Sequence, residues 1–288
     1  MMLSLITLNL MKGMNIMGAI ELRNKLVMAL SECDKIKGIG QTGNLDTELI
    51  PGKSDIDLFV LCSEIPTREE RNKCYESIQS EKFDLQIEVC NGGQWGYGDI
   101  LVVDRIDVMP MYFTIREMHE YLKEILDCKH LEKEGRFYPV GRVASVATIN
   151  ILIEKENTWS NMKNMVNQKQ KKFFEAWYKN EIGQVLDEED LSRSELHKEV
   201  LFFHQVLEYA LDHLLQALYA VNECYFPSRK RTMFAIKEFR YKPTDCLKRL
   251  LNIVQNSARE ETIIQAILDL RNITVEVRTL GDEVFEIY

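Results

Sequence analysis

The sequence predicts an α+β protein: a small mixed sheet with its helices over residues 1–115, followed by an all-α helical bundle over residues 116–288. Two patterns and the length carry that prediction. Before about residue 115, apolar residues switch repeatedly between two-residue alternation and helical spacing; after it, every long apolar pattern has the helical period. The length of 288 residues suits one large or two small domains at about 150 residues each. No Pro/Gly-rich linker marks the change near 115, so the halves are expected to pack closely.

Taken in order, Ile20 to Glu32 has apolar residues at helical spacing, and Lys35 to Gly40 reads as a short strand. A loop with Gly43, Pro51 and Gly52 leads to Ile56–Leu61, a nearly continuous apolar run bounded by turn residues and the strongest strand signal in the chain. Thr67 is a natural N-cap for a charged helix running to Ser80. Phe83 to Cys90 alternates; Asn91-Gly92-Gly93 turns the chain; Ile100–Val103 and Arg105–Phe113 follow as strands. Beyond Thr114, helices are expected over Ile115–Lys129, Val140–Glu154, Trp159–Asn180, Ser194–Glu223, Thr244–Gln255 and Glu260–Arg278.

Composition narrows the function classes. Hydrophobic residues at 45%, charged residues at 28%, 14 Gly and 6 Pro exclude collagen-like and broadly disordered chains. Thirty-six Lys and Arg against 45 Asp and Glu leave a formal charge of −9. That field repels a phosphate backbone unless basic residues are gathered locally, so general nucleic-acid binding is not expected. The seven cysteines contain no C-x-x-C pair, and an odd count suits reduced thiols in a cytoplasmic protein better than a secreted disulfide framework. No run approaches the roughly 18 consecutive apolar residues of a membrane span. Met1 to Met11 is apolar but lacks a basic flank and a small-residue cleavage site, so residues 1–16 read as a leader or a mis-assigned start rather than a signal peptide.

Two phosphate-binding motifs are imitated and set aside. Gly38-Ile39-Gly40-Gln41-Thr42-Gly43 matches G-x-G-x-x-G, but Pro51 and Gly52 interrupt the chain before a crossover helix could follow. Gly52-Lys53-Ser54 runs into a strand, whereas a P-loop runs into a helix. What survives is Ser54-Asp55-Ile56-Asp57-Leu58. Residues i and i+2 of a strand share a face, so Asp55 and Asp57 stand side by side and repel unless a cation binds them. Oxygen ligands suit Mg²⁺, which takes further ligands from water and substrate phosphates. Asp107, within a later strand, is a third acid for the same purpose; Glu88 is the alternative third carboxylate or a general base.

Ile39-Gly40-Gln41, followed by Ser54-Asp55-Ile56-Asp57-Leu58 and later by Ile106-Asp107-Val108, resembles the nucleotidyltransferase superfamily of DNA polymerase β. Within it the chain looks most like the small-molecule antibiotic nucleotidyltransferases of the kanamycin and lincosamide type. The resemblance continues in Leu218–Asn222 and in Tyr225-Phe226-Pro227-Ser228-Arg229-Lys230, similar to the segment those enzymes carry near the nucleotide phosphates. It departs at Gln41, where the family has Ser or Gly; Thr42 offers a hydroxyl one residue later. The resemblance implies a polymerase β-like catalytic domain that moves a nucleoside monophosphate from a nucleoside triphosphate to a hydroxyl of a small molecule, releasing pyrophosphate. It implies two Mg²⁺ ions held by catalytic Asp55, Asp57 and Asp107, with Gly40, Gln41, Thr42, Ser54 and Lys230 binding the nucleotide. The acceptor, the base and a homodimer completing the cleft are left open.

Arg229-Lys230-Arg231 sits where a helix is expected to start, and positive charge there opposes the helix dipole, which favours a bound anion as its explanation. The five histidines show no zinc-ligand spacing, and Trp159, Trp177, Tyr178, Phe202 and Phe203 are expected in the core. Two other functions stay open: a non-catalytic or antitoxin-like binding protein on the same fold, and nucleotide transfer to a protein hydroxyl.

Overall fold

The structure is a computed structural model that describes residues 18–43, 45, 50, 52–53, 55–78, 83–133, 135, 137–168 and 170–287. It divides into two compact units, Met1–Tyr121 with Val146–Met165, and Leu122–Ser145 with Val166–Tyr288.

The first unit is built on helix α1 (Ala19–Ser31), strands β1 (Ile36–Gln41) and β2 (Asp55–Cys62), helix α2 (Arg68–Glu76), and strands β3 (Phe83–Asn91), β4 (Tyr97–Val103) and β5 (Ile106–Thr114). Helix α3 (Ile115–Leu126) carries the chain into the second unit, α4 (Pro139–Ala147) belongs mostly to that second unit, and β6 (Asn150–Glu154) and α5 (Thr158–Asn167) return to the first. The six strands form one sheet in the order β3-β4-β5-β2-β1-β6. β2 and β5 run parallel and every other neighbour is antiparallel. Pairing of β4 with β5 skips Asp99 and Ile100, opposite Pro110 and Met109, because the proline ring has no N–H to give the ladder.

One sheet face is closed by helix packing. Ile56, Leu58, Val60 and Cys62 of β2 and Ile106, Val108 and Tyr112 of β5 join Leu22, Leu26, Val27 and Leu30 of α1 in one buried cluster. Alternation then sends Asp55, Asp57 and Asp107 to the opposite face. The expected Thr67 cap is a full capping box: Thr67 Oγ1 accepts from the Glu70 N–H at 3.2 Å, and the Thr67 N–H donates to Glu70 Oε2 at 2.7 Å.

The helix expected over Val140–Glu154 is corrected. Its first part is α4, but Asn150–Glu154 is an edge strand paired with β1. Ile149, Ile151, Leu152 and Ile153 continue the apolar spacing of Val140, Val143 and Val146, and so short an apolar stretch cannot be assigned to helix or strand by period alone.

The second unit holds α6 (Lys171–Ile182), α7 (Glu188–His197), α8 (Val200–Val221), α9 (Thr232–Glu238), α10 (Cys246–Asn256) and α11 (Ile263–Phe285). Its core is aromatic: Phe173 stacks on Trp177 at 5.7 Å, and Phe226 meets Tyr138 and Tyr219 edge-on at 4.9 Å each. Trp177, Tyr178 and Phe203 are buried there and Trp159 in the first unit, whereas Phe202 is half-buried. None of the seven cysteines is in a disulfide. Among the described residues, no helix is long and apolar enough to cross a membrane.

Candidate active site

Register places the three aspartates on one face of the sheet. In the parallel ladder Asp55 is the direct partner of Asp107, and Asp57 lies two residues further along β2. Side-by-side residues of neighbouring strands share a face. Asp55 and Asp107 are exposed and Asp57 is half-buried, while Ile56 and Val108 between them are fully buried on the other face. Hard carboxylate oxygens from adjacent strands are the donor set Mg²⁺ takes. Among the described residues, however, no three His, Cys, Asp or Glu groups are already gathered as a metal site. The fit is therefore one of donor chemistry and strand position.

The turn after β1 lies beside this edge. The Thr42 N–H donates to the Asp57 carbonyl at 3.3 Å. Gln41 pairs with Leu58 and so takes the helix-covered face, where it is buried and its Oε1 has no partner among the described residues. Gly40 pairs with Phe59 and takes the aspartate face. A Cβ there would stand 2.4 Å from Ile149, and one on Gly38 2.7 Å from Trp159. The G-x-G pattern thus makes room for close packing against β1. Ser54 lies outside the described residues, as do residues 1–16.

Glu88 is not brought to the three aspartates. It sits on β3, which β4 and β5 separate from β2, at an interruption of the β3–β4 register and with φ of 62°. Its carboxylate accepts from Arg71 at 3.1 Å. Arg71 also donates to Asp99 at 2.9 Å and to the Pro66 carbonyl at 2.7 Å, and lies over the Tyr112 ring. Tyr75 donates to Asp99 at 2.6 Å and shares a hydrogen bond with Tyr112 at 2.6 Å. Burial opposes the charge on Arg71, but Asp99 and Glu88 outweigh it and its pKa stays raised. Burial pushes both phenols well above the ordinary tyrosine range.

In the helical unit, Lys230 is exposed on the segment before α9. Its neighbour Arg229 has an internal answer to its charge: Nε donates to Asp212 at 2.5 Å and Nη2 to the Glu208 carbonyl at 2.7 Å. Asp212, buried on α8, also accepts from Lys133 at 2.5 Å and from Tyr138 at 2.6 Å. Burial pushes the Asp212 carboxyl up, and the bonds from Arg229, Lys133 and Tyr138 together outweigh burial and hold it below the ordinary aspartate range. Of the basic cluster, then, Lys230 and Arg231 are without an ion pair among the described residues.

Sequence reasoning missed Asn150. Its side-chain amide donates to the Gly43 carbonyl at 2.7 Å and to the Gln41 carbonyl at 3.3 Å. The local signal was hidden inside what reads as a helix.

No family model matches the chain, and no curated protein matches it. Solved structures do. A nucleotidyltransferase-like protein from Exiguobacterium sibiricum superposes with a TM-score of 0.44 at 12% identity, over 93% of this chain and 78% of that one. A spectinomycin adenyltransferase from Enterococcus faecialis, solved with ATP and spectinomycin, superposes with a TM-score of 0.36 at 13% identity, over 90% of this chain and 98% of that one. Both superpositions are loose.

Proposed function

We propose that the chain is a metal-dependent nucleotidyltransferase, transferring a nucleoside monophosphate from a nucleoside triphosphate to a hydroxyl of a small molecule. The observation that carries this reading is the register of Asp55 against Asp107, with Asp57 on the same face of β2. Like charges placed opposite each other destabilise a sheet. Such an arrangement is explained if a cation and a polyphosphate meet there. Mg²⁺ bound by these carboxylates would neutralise the triphosphate and lower the pKa of the acceptor hydroxyl. Asp55, Asp57 and Asp107 orient the two reactants so that the acceptor oxygen forms its bond to the α-phosphorus as the bond to pyrophosphate breaks and the hydroxyl proton leaves to solvent. The turn at Gly40-Gln41-Thr42 offers backbone contact to the phosphates, and Lys230 is the candidate for a further phosphate contact on the strength of its motif.

A second reading, a non-catalytic binding protein on the same fold, is favoured by one observation: Gln41 turns a buried amide to the helix-covered face where the resembled enzymes have a small residue. One experiment separates the two. The purified protein is incubated with each labelled triphosphate, Mg²⁺ and a library of hydroxyl-bearing small molecules, and products are read by mass spectrometry. The enzyme reading expects an acceptor gaining one nucleoside monophosphate, with pyrophosphate released, only when Mg²⁺ is present. Magnesium-dependent nucleotide binding without any product, including transfer to protein hydroxyls, would overturn it in favour of the binding protein.

A further inference from the structure

The turn after β1 is restrained from two sides, and one restraint comes from more than a hundred residues away in sequence. On the β2 side the Thr42 N–H bonds the Asp57 carbonyl. On the β6 side the Asn150 amide draws in the Gln41 and Gly43 carbonyls. Gly43 has φ of +85°, and a Cβ built on it meets nothing within 4 Å among the described residues. Glycine is therefore favoured there by the left-handed backbone. The Gly43 N–H donates to no group among the described residues. A carbonyl oxygen facing a polyphosphate repels it, whereas outward backbone N–H groups form an anion-binding concavity.

We propose that Asn150 is a positioning residue for this turn: by holding the Gln41 and Gly43 carbonyls toward β6, it keeps acceptor atoms off a bound triphosphate and leaves the Gly43 N–H to meet it. The inference rests on the nucleotide-binding reading of Asp55, Asp57 and Asp107. It assigns to the phosphate chain, not to the base or the acceptor, the part of the substrate that Asn150 controls.

The test is calorimetric titration of the full chain with inorganic tripolyphosphate in excess Mg²⁺, a probe that needs no choice of base. Asn150→Ala is expected to raise the Kd about tenfold, the size of lost turn hydrogen bonds. Asn150→Asp keeps the shape but, ionised, has no donor and sets a negative charge against two carbonyls. Its Kd is expected to exceed that of Asn150→Ala at neutral pH and to recover relative to wild type as pH falls to about 4 and below, where the protonated carboxyl regains one O–H donor. A purely structural Asn150 would not produce that recovery, and the isosteric variant carries the test if Asn150→Ala does not fold. Both variants binding within about twofold of wild type at every pH, while Asp57→Asn has lost magnesium-dependent binding, overturns the role of Asn150 alone. Wild type that binds no magnesium tripolyphosphate, or Asp57→Asn that binds it as wild type does, overturns the nucleotide reading and this inference with it.

Discussion

The two sides of the sheet treat their carboxylates in opposite ways. On the β3–β4 side, Asp99 and Glu88 share Arg71; Asp99 is fully buried and Arg71 is 2% exposed. On the β2–β5 pair at the middle of the sheet, Asp55 and Asp107 stand opposite each other and exposed, with no side-chain hydrogen bond or ion pair among the described residues. A buried charge must be closed on itself, because leaving one partner unpaired is far more costly than the pair is worth. An exposed pair of like charges has no such obligation, and its mild repulsion is a standing preference for a cation. The difference separates acids that hold the fold from acids available to a ligand, although both are Asp or Glu on strands.

Breaking the open side should abolish function and spare the fold. Asp57→Asn is expected to lower turnover about a thousandfold, or about 4 kcal/mol of transition-state stabilisation, with a cooperative metal-free thermal melt retained. Steady-state rates and a metal-free thermal melt check both halves of that statement. Breaking the closed side should do the reverse: Arg71→Met leaves Asp99 buried without its cation and is expected to cost about 3 kcal/mol in urea unfolding. Pairing it with Asp99→Leu should recover part of that loss, since the uncompensated charge is then gone. If Arg71→Met unfolds at the wild-type midpoint, the contrast between the two sides is lost.

The helical unit inverts the Arg71 arrangement, with one buried carboxylate, Asp212, shared by Arg229 and Lys133. Because the Asp212 pKa is depressed in the folded chain, its contribution is present at neutral pH and is lost as pH falls below about 4 through the folded value. Asp212→Asn should cost about 2 kcal/mol at pH 7 and flatten the acid limb of a stability-against-pH curve. A variant curve parallel to the wild-type one down to about pH 2 would show that the cluster contributes nothing to acid sensitivity. The smallest effect returns to the β2–β5 pair, where Asp107→Asn should raise metal-free stability by about 0.5 kcal/mol through relief of the cross-strand repulsion. A fall in the melting temperature would mean that Asp107 is held by a partner after all.

Much of this was legible in the residues themselves. The apolar run Ile56–Leu61, the Thr67 cap and the alternation of Asp55 and Asp57 depend on neighbours within a few positions, and strand, helix and shared face followed from them. The sequence also named Asp107 as the third acid, with Glu88 as the alternative. Only the tertiary structure separated them, because which strands become neighbours depends on the whole sheet order: β5 lies beside β2 in register, while β3 lies outside β4 and gives its carboxylate to Arg71. The side chain of Gln41 was assigned to the phosphate turn by position, and pairing with Leu58 sends it to the other face. Asn150 was out of reach altogether. A strand of five residues takes its identity from the β1 edge that it pairs with, and its bonds to the Gln41 and Gly43 carbonyls exist only once the chain has closed a loop of more than a hundred residues. Local periodicity cannot encode such a contact, because the free energy that selects it comes from hydrogen-bonding an otherwise open sheet edge.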